Sequence, residues 1–151
     1  MTYLEADPAS SDSSLQRPYI DAPPVTCASD LIDRWQTILD GEFFDQRSVW
    51  LIWFDEAGRQ LPVVVPVDGL PDELDEQCLS GLRSICGVTK DNGARTVAMA
   101  LSRRGTAQIT TVDRQHARTM LAMVRSTGLK PWPVYLATTE SIREIMPADV
   151  T

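Results

Sequence analysis

Residues 48–54 read Ser-Val-Trp-Leu-Ile-Trp-Phe, a run with no position to spare for a wet face. A strand with one side in water alternates apolar and polar residues, whereas an unbroken apolar run suits a strand covered on both faces. Asp55-Glu56-Ala57-Gly58 reads as a turn, and residues 60–67, QLPVVVPV, return as a second strand, so residues 48–67 predict a hairpin. Pro62 and Pro66 cannot donate to a ladder, which places the second strand at an edge or ends it early.

Helices are expected around this hairpin. Ser29 is a credible N-cap with Asp30 in the first turn. Leu31, Ile32, Trp35, Ile38 and Leu39 then repeat at helical spacing, and Gly41 is placed to stop the helix. The stripe around Trp35 points that ring into a core. A second helix is expected from Pro71, which suits a first helical position. Asp72, Glu73, Asp75 and Glu76 favour the positive end of its macrodipole, and Leu74, Cys78, Leu82 and Ile85 carry its apolar face. Nothing in the sequence holds those carboxylates in a concave arrangement, so a solvated helix start is preferred over a cation site.

Residues 96–101, TVAMAL, predict a third strand, Gly105 a turn, and residues 106–109 a short return. Ala117, Met120, Leu121 and Val124 mark a third helix over residues 111–126, with Gly128 after its end. Residues 132–137 predict a further strand and residues 141–145 a last short one. Helix, hairpin, helix, strand, helix and strand in this order give a single α/β domain, a mixed sheet flanked by helices.

Composition narrows the function. At 151 residues one domain is the prior, large enough for a sizeable core. Residues 1–24, rich in Ser, Asp, Pro and Ala, cannot bury enough apolar surface to offset their ordering entropy, and read as a mobile tail before a domain over 25–151. Within that tail, Tyr19 and Ile20 could dock on the domain. The net charge of −7 argues against a nucleic-acid backbone as partner. Arg outnumbers Lys 12 to 2, a hint of a GC-rich bacterial genome and no guide to mechanism. No segment is apolar and long enough to span a bilayer, and the N-terminus lacks the regions of a signal peptide, so a cytoplasmic location is expected. Cys27, Cys78 and Cys86 then stay reduced, and their spacing matches neither a zinc pattern nor a Cys-x-x-Cys redox motif.

The segment from Val97 to Asp113, VAMALSRRGTAQITTVD, joins an apolar strand, a Gly turn and Thr-x-x-Asp at a helix start. This layout resembles the core of the RadC/JAB (MPN) metalloprotease-like family, over about residues 48–145. In that family the strand runs into His-x-His-Pro, followed by Ser-x-x-Asp at the next helix. Matching on Thr110-x-x-Asp113 places Ala100 and Ser102 where the zinc histidines would stand, and Arg103 where the Pro would. The phrase after Gly128, GLKPWPVYL, matches the turn that leads into the family's late strand. The resemblance implies a JAB/MPN-like fold and, with the histidines replaced, a non-catalytic module that binds a protein partner or associates with itself.

The residues agree with that loss of chemistry. A catalytic zinc needs about three protein ligands and an open position, and the chain has one histidine, His116, a turn into the third helix. No catalytic residue, metal or cofactor is assigned. Thr110 and Asp113 read as a capping box, in which Thr accepts from an early backbone N–H and the acid answers. The Trp-rich hairpin and the acidic tail are possible contact surfaces. The alternative is a small anionic ligand, or an enzyme's anionic substrate, held near Ser102, Arg103, Arg104 and Asp113, because adjacent arginines after a strand suit a phosphate or carboxylate.

Overall fold

The structure, a computed structural model, describes residues 22–42 and 44–145. Most of the expected tail, with Tyr19 and Ile20, lies outside the described residues. The elements are α1 (Ala28–Leu39), β1 (Ser48–Phe54), β2 (Gln60–Asp68), α2 (Glu76–Asp91), β3 (Thr96–Ser102), α3 (Thr111–Ser126), β4 (Lys130–Pro131), β5 (Tyr135–Ala137) and β6 (Ile142–Glu144). They make one α/β domain. The strands form a mixed sheet in the order β2-β1-β3-β5-β6, with β4 beside the start of β3. Only the β3 pairs with β4 and β5 are parallel.

The apolar run of β1 is central in this sheet and covered on both sides. Val49, Leu51 and Trp53 pack with Val97, Met99 and Leu101 of β3 beneath α2 and α3, where they meet Leu82, Cys86, Ala117, Met120 and Val124. Ile52 and Phe54 point the other way, joining Ala98, Ala100, Tyr135 and Ala137 beneath Leu31, Trp35, Ile38 and Leu39 of α1. The alternation follows from the two-residue period of a strand. Alanines at 98, 100 and 137 leave room for the Trp35 ring, which is fully buried.

β2 lies at the sheet edge and runs its full length, so the prolines mark the edge without shortening the strand. The pairing shifts between Ile52–Val64 and Phe54–Gln60, a bulge that takes in Pro62 and exposed Val63. A bulge and missing donors both discourage another strand from adding there.

Several boundaries differ from the sequence expectation. Cys27 is the N-cap of α1 and gives no side-chain cap bond, while Ser29 already lies inside the helix. Asp30 instead reaches back, accepting from the Thr26 N–H at 3.0 Å. α2 begins at Glu76, five residues after Pro71, because the Asp75 carboxylate caps it by accepting from the Cys78 N–H at 2.8 Å. Asp72 and Glu73 therefore stand on a loop before the helix. Residues 106–109 form no strand: the Thr106 and Gln108 carbonyls accept from Arg103, described below, and the Ala107 carbonyl from Arg143. Of the strand expected over 132–137 only Tyr135–Ala137 forms, as β5; the two-residue β4 precedes the expected span, and Pro133, between them, supplies no ladder donor.

The segment before α1 is anchored further back than residue 25. The Arg34 guanidinium donates to the Pro23 carbonyl and, at 2.6 Å, to Gln60 Oε1. Val25 is buried, and its N–H donates to the Gly58 carbonyl at 2.8 Å. Gly58 has φ +83, and a Cβ there would stand 2.6 Å from the Val25 carbonyl oxygen. The hairpin turn needs glycine for its backbone and for this approach.

Candidate functional site

β3 ends at Ser102, and the chain turns through residues 103–110 into α3. Asp113, in the first turn of α3, is 1% exposed. The capping box is present: Thr110 Oγ1 accepts from the Asp113 N–H at 3.2 Å, and Asp113 Oδ2 accepts from the Thr110 N–H at 2.9 Å.

The carboxylate does more than cap. Arg103 Nε and Nη2 donate to it in a fork, at 3.0 Å to Oδ1 and 2.8 Å to Oδ2. Arg47, from the loop before β1, donates to Oδ1 at 2.9 Å. Burial pushes the Asp113 carboxyl up, but its bonds from Arg103, the Thr110 N–H and Arg47 outweigh that and hold it at about 2.

The remaining donors of Arg103 are equally committed. Nη1 donates to the Arg104 and Thr106 carbonyls at 2.9 and 3.0 Å, and Nη2 to the Gln108 carbonyl at 2.7 Å. A guanidinium has five N–H groups, and these contacts engage them all. Arg103 is thus a buried cation that organises its own loop. Gly105, at φ +103, lets the backbone pass close over the guanidinium: a Cβ there would stand 3.1 Å from Nη1.

Of the four residues expected to line one pocket, two meet. Arg103 and Asp113 are paired on the side of the sheet that carries α3. Ser102 faces the α1 side, where its Oγ accepts from Trp50 Nε1 at 2.9 Å. Arg104 is exposed, with its carbonyl given to Arg103. Ala100 is fully buried among the apolar residues beneath α1. The two positions matching the family's histidines therefore face away from the acid that would join them. Among the described residues no group of three or more His, Cys, Asp or Glu is placed to hold a metal ion.

Arg47 is the residue that sequence reasoning missed. It lies 66 positions from Asp113, and no local pattern signals a contact of that separation. Its carbonyl also accepts from the Leu70 N–H at 3.0 Å, so the loop before β1, the loop after β2 and the start of α3 are tied together. His116 adds a second tie. It is 2% exposed, and Nε2–H donates to the Pro71 carbonyl at 2.8 Å, which fixes a proton on that nitrogen. A groove of about 270 Å³ opens beside it, lined by Asp72, Glu73, Leu74, Gln115, Arg118 and Thr119 as well as His116. The acidic residues of the loop thus reach a concave surface after all, in a setting that also contains a guanidinium.

Among the described residues no helix is long and apolar enough to cross a membrane. No protein-family model matches the chain, and no curated protein matches its sequence.

Proposed function

We propose that this chain is a non-catalytic binding or scaffold module on a degenerate JAB/MPN-like plan, acting in the cytoplasm through a protein partner or a second copy of itself. One observation carries the reading. The acid that would complete a metal site has both oxygens taken by Arg103 and Arg47. A metal would have to displace these charge-assisted bonds from the same lone pairs. The order helix, hairpin, helix, strand, helix, strand, with the acid at the start of α3, supports the plan itself.

No observation favours an anionic ligand at Arg103, whose donors are all engaged. Large apolar side chains are exposed only at Val63 and Val88 among the described residues. A partner is thus expected to meet a largely polar surface, as non-obligate partners do. Immobilised full-length chain should retain a defined protein from native lysate, equally with and without chelator, or should self-associate in analytical ultracentrifugation. Finding neither would overturn the reading, and a chelator-dependent hydrolytic activity would replace it.

A further inference from the structure

One row of residues crosses the whole sheet in register: Pro66, Trp50, Ala100, Tyr135 and Glu144. Residues directly opposite one another on neighbouring strands share a face, and in an antiparallel pair their Cβ atoms stand about 4.5–5.5 Å apart. Tyr135 belongs to the core beneath α1, so Glu144 projects on that same side, at the sheet edge where β6 meets α1.

Among the described residues both polar groups there lack partners. The Tyr135 hydroxyl is buried in a residue 1% exposed and makes no hydrogen bond. Glu144 is half-buried and makes no hydrogen bond or ion pair among the described residues. Burial, and then the charge of Glu144, push the Tyr135 phenol up, so it stays a neutral hydroxyl beside a carboxylate. Partly buried Phe44 and Ile142 pack into the same apolar cluster.

A buried hydroxyl with no partner is an exception that calls for an explanation. An anion is repelled by Glu144. A calcium or magnesium ion wants six or more oxygens and would find one carboxylate and a phenol. An organic cation fits better: its N–H groups can donate to the carboxylate and to the phenolic oxygen, both of which have lone pairs to offer. Apolar and aromatic neighbours suit the alkyl stem that carries such a group.

We propose that Glu144 and Tyr135 form a notch at the β5–β6 edge, beneath α1, that takes the ammonium or guanidinium end of a partner's lysine or arginine side chain. The proposal rests on the binding-module reading and names the chemistry of its partner. The test titrates full-length chain with N-acetyl-lysine amide, N-acetyl-arginine amide and the uncharged N-acetyl-norleucine amide at constant ionic strength, followed by NMR. Saturable binding of one or both cations, and not of the norleucine compound, is expected. The arginine and lysine arms decide which head group is preferred.

Glu144→Gln should weaken cation binding by about tenfold or more, as expected for losing a charge-assisted hydrogen bond. Tyr135→Phe should weaken it less. Glu144→Asp, which keeps the charge but withdraws it by one methylene, should fall between wild type and Glu144→Gln. Equal binding of the lysine and norleucine compounds would overturn the proposal, as would a folded Glu144→Gln protein with wild-type affinity. If neither cation binds but the chain still retains a partner from lysate, the notch is wrong and the binding-module reading stands. If both fail, both are wrong.

Discussion

Replacing Asp113 by Asn should be among the most damaging near-isosteric changes in this protein. The amide keeps the shape of the carboxylate but carries no charge and one oxygen. Arg103, itself 7% exposed, would keep its three carbonyl partners and lose its counter-charge. Removing one member of a buried ion pair costs about 3–5 kcal/mol. The surviving carbonyl bonds place this change near the lower bound, about 3 kcal/mol. With a urea m-value of about 2 kcal/mol/M, the unfolding midpoint should drop by about 1.5 M at unchanged m. Against a total stability of about 5–15 kcal/mol, that is a large loss.

The same pair predicts an acid limb. The Asp113 carboxyl sits at about 2 in the folded state, below its ordinary 3.8. A depressed carboxyl contributes stability that is present above its unfolded pKa and is lost as pH falls from about 4 through about 2. The difference corresponds to about 2 kcal/mol. Urea unfolding at pH 7, 4, 3 and 2 should show this loss in wild type and a correspondingly smaller one in Asp113→Asn. A cost below about 1 kcal/mol, the scale of a surface charge–dipole term, together with identical acid limbs, would refute the buried-pair reasoning and leave Asp113 a simple helix cap.

Other consequences can be checked alongside. Thr110→Ala removes one arm of the capping box and should cost about 0.5–2 kcal/mol in the same unfolding assay. Ser102→Ala strands the Trp50 indole N–H, with an expected cost of about 1 kcal/mol and a change in tryptophan fluorescence. Replacing Pro62 and Pro66 by Thr restores donors to the outer edge of β2, and light scattering at high concentration should report increased association.

The apolar run of β1 announces its own double coverage because the two-residue period has no polar phase to leave wet. The hairpin, the edge position of β2, the apolar face of α3 and the Thr110–Asp113 box follow from similarly local rules. The start of α2 is not legible locally, because Pro71 and Asp75 both suit a helix start, and which one caps depends on where the loop is held. Arg47 and His116 hold it from distant parts of the chain. Arg103 and Arg104 look alike in sequence, and the pair supports an anionic ligand as the alternative reading. Both lie past the end of β3, where the turn buries one and exposes the other, and only the folded loop supplies three carbonyls to one guanidinium. Glu144 and Tyr135 carried no signal at all, because their meeting depends on a ladder between two three-residue strands.

Elemental analysis of full-length protein purified without chelator addresses the central issue of whether Asp113 belongs to arginine or to a metal. Wild type and Asp113→Asn should both lack stoichiometric zinc, and added zinc should leave the wild-type melting temperature unchanged. One tightly held zinc per chain, absent from a folded Asp113→Asn protein, would contradict the reading of this chain as a non-catalytic module.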